Sequence, residues 1–328
     1  MKRLTAFLLS LLLLLSLAAC DSADKSEKET PAEIPVAVLK GPTAMGMVRL
    51  MSLNEEGKTS NHYNFTIAGA ADEITASLIK GDLPIAAIPC NLAATLYNKS
   101  EGKLVVAAVN TLGVLYLMEN GDSVQSLEDL RGKTVYATGE GTTPEYTLRY
   151  LLSSAGIDPD KDVTITYLSE ASEVAARLAA SESGTIAMLP QPYVTTVMQK
   201  NESVRIALDV TAEWERLNED STVVTGVIVI NKAFLENNRD AVKSFLSEYA
   251  ESTAFATSQV EETAALLEHF DIFPAAVARQ ALPYCNIVNL TGEEMQNAVS
   301  GYLQVLFEQN PASVGGKLPD DGFYYKGE

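Results

Sequence analysis

The chain is poor in the residues on which metal sites, histidine-dependent enzymes and disulfide-stapled domains depend. Its 328 residues hold two histidines, His62 and His269, and three cysteines, Cys20, Cys90 and Cys285. No Cys/His set has metal-ligand spacing, so neither a metal nor a cofactor is expected, and histidine-based acid–base catalysis is poorly supplied. Cys90 and Cys285 lie nearly 200 residues apart. They form no disulfide framework and read as buried free thiols, although one bridge between them is compatible with the sequence. Basic residues are also scarce, with 24 Lys and Arg against 43 Asp and Glu and a net charge of −19. That balance argues against nucleic acid as a partner, while a single pocket can still differ in potential from the whole surface. After the first twenty residues no run is long and apolar enough to span a bilayer.

Those first residues carry a targeting pattern. Lys2 and Arg3 precede an apolar run over 4–17, which ends in Leu17-Ala18-Ala19-Cys20. Small residues leading into a cysteine read as a bacterial lipobox, with 1–20 as a lipoprotein signal peptide and Cys20 as the lipidated residue. Residues 21–33 are almost devoid of large apolar side chains and read as a flexible tether. The expected location is extracytoplasmic, anchored to the cell membrane by lipid.

From residue 34 onward strand and helix patterns alternate. Strands are expected at 34–40, 62–68, 83–88 and 104–110, with helical periodicity from Thr43 and over 72–80 and 91–99. A second βα series follows, with strands at 134–137, 163–168, 185–189 and 204–209. The runs 114–118 and 223–230 read as crossovers between the two series. Helices are expected over 239–257, 261–270, 275–282 and 292–309, followed by a polar tail. The fold class is therefore α/β, with two Rossmann-like lobes joined by a two-strand hinge. Residues 34–113 and 224–328 are assigned to lobe 1, and 114–223 to lobe 2.

Open α/β sheets bind ligands where loops leave the carboxyl ends of strands. Four such loops supply the candidate ligand-binding residues. Thr43, Ala44, Met45 and Gly46 follow the first strand and open a helix, whose free N–H groups suit a polar or anionic group. Cys90, Asn91 and Leu92 do the same after the strand 83–88, with Asn91 as the expected helix N-cap. Gly141, Thr142 and Thr143 repeat the arrangement in the second series. Gln191 and Tyr193 are aimed at the cleft by Pro190 and Pro192. Trp214, in an acidic loop near the hinge, is a further candidate for stacking on a ligand, with packing beneath that loop as the alternative. No catalytic residue is assigned.

At these positions the chain resembles the nitrate/sulfonate/taurine-type solute-binding family, which includes binders of thiamine-pyrimidine precursors. The resemblance covers about residues 34–310. It rests on Ala71-Asp72-Glu73-Ile74 with Leu78-Ile79-Lys80-Gly81-Asp82-Leu83-Pro84-Ile85-Ala86, on Leu127-Glu128-Asp129-Leu130-Arg131-Gly132-Lys133, and on Asp240-Ala241-Val242-Lys243-Ser244-Phe245. It implies a type II periplasmic-binding-protein fold, capture of a small organic molecule or anion by lobe closure, and delivery to an ABC permease and its ATPase. The expected protein is a monomer and not an enzyme. A ligand-sensing lipoprotein that signals to a membrane receptor, and a carboxylate-dependent enzyme using Glu140 and Glu145, are the alternatives. One departure matters: none of the four loops carries Lys or Arg, which leaves a neutral, zwitterionic or aromatic ligand open, or an anion held by backbone N–H groups.

Overall fold

The computed structural model describes residues 33–218 and 220–327. The signal peptide, Cys20 and nearly all of the tether lie outside the described residues. No described helix is long and apolar enough to cross a membrane.

Two sheets organise the described chain. The first has the order β11-β4-β10-β3-β1-β2, from β1 (Glu33–Leu39), β2 (His62–Ala68), β3 (Ile85–Pro89), β4 (Leu104–Leu112), β10 (Val224–Asn231) and β11 (Ile287–Leu290). The second has the order β7-β6-β8-β5-β9, from β5 (Leu115–Asn120), β6 (Thr134–Thr138), β7 (Thr164–Leu168), β8 (Thr185–Pro190) and β9 (Val204–Asp209). β1 pairs in parallel with β2 and β3, and β6 with β7 and β8.

The two expected crossovers correct the sequence reading in one respect. β10 is inserted antiparallel between β3 and β4, and β5 antiparallel between β8 and β9. Each is therefore a full sheet member, and both sheets mix parallel and antiparallel strands. Residues 104–109 and 226–231 are buried, as expected for strands covered on both faces.

Local signals explain where elements stop. The helix Asp72–Lys80 opens with Asp72 and Glu73 and ends with Lys80, which suits the helix dipole. Gly81 then adopts φ 90°, a left-handed conformation that a side chain would disfavour. The Leu127–Lys133 run, the most specific part of the family resemblance, begins with a short 3-10 turn at Leu127–Leu130. Ser126 and Asp129 close a capping box around it, and the Arg131 guanidinium bonds Asp162.

Three further elements depart from the expectation. The acidic loop expected around Trp214 is a helix, Val210–Leu217, whose first amides donate to the Asp209 carboxylate. β11 was hidden because Ile287–Leu290 is too short to show alternation. The polar tail packs back onto the first sheet: Phe323 is fully buried against Tyr97, and the Tyr325 amide donates to the Val106 carbonyl.

The helix Gly292–Gln309 touches both halves of the chain. It packs on β4 and on the helix Thr143–Ser154, and the Tyr302 hydroxyl meets the Thr147 hydroxyl at 2.6 Å. Trp214 stands between Tyr150 and Tyr302, with ring centroids 4.7 and 5.1 Å away. A single apolar cluster thus runs from the first sheet through this aromatic stack into the second.

Candidate functional site

A cleft of about 650 Å³ opens between the two sheets. Its walls are the carboxyl ends of six strands. Leu39 ends β1, with Pro42 and Thr43 beyond it; Gly69, Ala70, Asp72 and Thr75 follow β2; Pro89 ends β3, with Leu92 beyond it. Thr138 ends β6 and residues 139–144 follow it, Tyr167 and Leu168 end β7 and residues 169–171 follow it, and Pro190 ends β8 with Tyr193 beyond it. Leu115 and Thr225 add one residue from each crossover strand. The site lies where open sheets gather ligands.

Six of the expected residues line the cleft: Thr43, Leu92, Gly141, Thr142, Thr143 and Tyr193. Tyr193 packs edge-on against Phe273 at 4.9 Å, and its hydroxyl is pushed up to about 12 by burial and then by the nearby Glu170 charge. The Thr142 hydroxyl donates to the Gly139 carbonyl at 2.7 Å and holds the loop closed on itself.

The other seven point elsewhere. Ala44 and Met45 are fully buried in the first-sheet core. A β-carbon on Gly46 would sit 3.2 Å from Ile287, Thr253 and Tyr249, so this glycine faces the helix Arg239–Ser258 rather than the cleft. Cys90 is fully buried, and loss of solvent pushes its thiol well above the ordinary range. It packs and does not react. Trp214 is fully buried in the aromatic stack and cannot meet a ligand in the cleft. Gln191 turns onto the helix that follows it, Tyr193–Lys200, where its Oε1 accepts from the Thr195 amide and hydroxyl.

Asn91 corrects the N-cap expectation. Pro89 occupies the cap position, so the Asn91 side chain is free to tie three segments together. It donates to the Gly141 and Ser313 carbonyls and accepts from the Thr143 hydroxyl at 3.2 Å. Asn91→Ala is expected to cost about 2–3 kcal/mol, because the buried Thr143 hydroxyl and Ser313 carbonyl lose their partner along with the exposed Gly141 carbonyl. Urea denaturation of the full chain checks this; a loss under 1 kcal/mol contradicts it.

Sequence reasoning missed the loops after β2 and β7. Both obey the rule that found the other four, since each leaves a strand and opens a helix, Asp72–Lys80 or Ala171–Ala179. Among the described residues no group of three His, Cys, Asp or Glu is arranged to hold a metal ion. His62 and His269 sit on the surface beside Glu33 and Glu55.

Residues 104–263 match the family model described as NMT1/THI5 like. That segment is just under half of the chain. An ABC transporter structure from Parabacteroides distasonis is 27% identical, with a TM-score of 0.72 over 89% of this chain and 98% of that one. The periplasmic aliphatic sulphonate binding protein of Escherichia coli is 19% identical, with a TM-score of 0.69 over 86% of this chain and 94% of that one. A Brucella abortus protein named as a candidate binding protein is 26% identical over 63% of this chain. The match spans 63% of that relative's own length. The fold is thus that of the type II periplasmic binding proteins, which bears out the resemblance read from the sequence.

Proposed function

We propose that this protein is the extracytoplasmic solute-binding component of an ABC import system, lipid-anchored through Cys20 and monomeric. The two sheets with their helices act as lobes that close on a small molecule and present it to a permease and its ATPase. The supporting observation is the cleft itself: strand ends of both sheets face one volume large enough for a small organic ligand. Two crossovers, at 113–114 and 210–223, join the sheets. A ligand that touches both walls binds the closed form more tightly than the open one and so shifts the population toward it.

The test is a thermal-shift panel on the full chain in detergent, after native mass spectrometry of the protein as purified. A ligand at a hundred times its dissociation constant adds about 2.7 kcal/mol of stability. A saturable shift with one compound class, without turnover, supports the proposal. Turnover of that compound, or no shift across amines, alcohols, sulfonates, nitrate, amino acids and pyrimidines, counts against it. In cells, Cys20→Ser should move the protein from the membrane to the soluble fraction.

A further inference from the structure

The cleft offers an anion little. Backbone amides at helix starts are the usual way to hold an anion without Lys or Arg, but here three cleft loops have filled those positions with the chain's own carboxylates. The Ala70 amide donates to Glu73 at 2.8 Å, the Gly141 amide to Glu145 at 2.6 Å and the Ser169 amide to Glu173 at 3.1 Å. An incoming sulfonate or nitrate would find these three amides already taken.

The rest of the lining has the same sign. Asp72, Glu140 and Glu170 line the cleft, and among the described residues Lys40 is the one cation that lines it. The Lys40 ammonium is turned toward Asp271, 3.7 Å away. Glu73 and Glu170 come from opposite sheets, yet each places a carboxylate oxygen 3.2 Å from the point a β-carbon on Gly69 would occupy. Among the described residues neither has a Lys or Arg partner. Two carboxylates flanking one point between facing walls make a position for positive charge.

Buried polar atoms beside the floor are an independent sign. Asn110 is 2% exposed; its Nδ2 donates to the carbonyl of cleft-lining Thr43, while its Oδ1 has no partner. The cleft-lining Thr225 hydroxyl and the neighbouring Thr111 hydroxyl are also enclosed and unpartnered. An amide oxygen can only accept, and buried groups of this kind are normally satisfied. Of the three, the Asn110 oxygen can be satisfied only by a donor, which a sulfonate lacks and an ammonium or a water carries.

We propose that the cleft selects a cationic organic molecule, an amine or protonated heterocycle, with its positive group between Glu73 and Glu170 and its body beside Tyr167 and Tyr193. Aromatic rings next to a desolvated cation add to the attraction. This rests on the solute-binding reading above and narrows it to one charge class, which differs from the sulphonate named for the Escherichia coli neighbour.

The experiment uses the full chain in detergent and matched triplets of probes. Butyl, benzyl and pyridylmethyl skeletons each carry an ammonium, a hydroxyl or a sulfonate head. Calorimetry should give, for at least one skeleton, an ammonium member bound at least tenfold tighter than both counterparts, with affinity falling as salt rises. Glu73→Gln and Glu170→Gln, which keep the acceptors for Ala70 and Ser172, should each weaken that binding about tenfold. Glu236→Gln, outside the cleft, should leave it unchanged. A sulfonate or hydroxyl member that binds as tightly as its ammonium counterpart overturns the charge class and leaves solute capture standing, as does amine binding indifferent to Glu73→Gln and Glu170→Gln. No binding by any member counts against solute capture itself, and the inference falls with it.

Discussion

Glu119→Ala should destabilise the protein by about 3–5 kcal/mol, because it removes a buried carboxylate that accepts four hydrogen bonds, one of them from a partly exposed arginine. Glu119 lies on β5, opposite Arg205 on β9, and its side chain is fully buried. Its carboxylate accepts from the Ser123 amide and hydroxyl, the Val124 amide and the Arg205 guanidinium at 3.0 Å. Arg205 also donates to the Gly121 and Val124 carbonyls. The carboxylate thus organises the whole turn after β5, and its loss strands two backbone amides as well as the arginine. Arg205→Ala should cost less, about 2–3 kcal/mol, because three donors still hold Glu119.

This pair also sets a pH dependence. Burial alone would raise the Glu119 pKa. The Ser123 hydroxyl, the Val124 and Ser123 amides and Arg205 outweigh it and hold the carboxyl below its ordinary value of 4.5. A depressed folded-state pKa contributes stability that is present above the unfolded value and lost as pH falls through the folded one. The gap between wild type and Glu119→Ala should therefore be full at pH 7 and shrink below about pH 4. Urea denaturation across that range reads it; a gap that widens in acid contradicts the assignment.

Gly113→Ala should cost about 2–3 kcal/mol and weaken ligand binding together with stability. Gly113 joins β4 to β5, where the chain leaves the first sheet. A β-carbon there would lie 2.0 Å from the Thr211 hydroxyl oxygen and 3.0 Å from its Cβ and Cγ2. Thr211 opens the return from the second sheet to the first, so the two crossovers touch at this glycine. Rotating the threonine moves its hydroxyl and methyl but not its Cβ. The crossovers must separate, and the walls of the cleft move with them. Thr211→Gly removes the Cβ together with both γ atoms. The double variant Gly113→Ala/Thr211→Gly should lose clearly less than the sum of the two single variants, as coupled neighbours do. Additive losses in the double variant would show that the contact between crossovers is not the cause.

Much of the architecture was legible in the chain. His62–Ala68, Asp72–Lys80, Val204–Asp209 and Gly292–Gln309 fall where periodicity and end signals place them. These elements are long enough to show a period, and their ends carry local stop signals such as Gly81 and Asn310. The helix around Trp214 was missed because its acidic surface resembles a loop, and its one N-cap signal, Asp209, closes a strand. β11 was missed because four residues carry no period.

The site was legible as a set of loops but not as a set of side chains. Strand–helix order alone points to the carboxyl ends of β1, β3, β6 and β8, and all four border the cleft. Which residue of each loop faces inward depends on packing that no local pattern records. Asn91 and Gln191 sit in the right loops, yet buried carbonyls and Thr195 claim their side chains. Trp214 is in a plausible place along the chain, yet Tyr150 and Tyr302, 64 and 88 residues away, enclose it. The sequence determined the α/β class, the alternation and the loops, because these follow from short-range periodicity and chain reversal. Only the tertiary structure decided that β5 and β10 run antiparallel inside the sheets, and that Glu73 and Glu170 both reach the space beside Gly69. Both depend on contacts between residues about a hundred positions apart, and local propensity has no term for them.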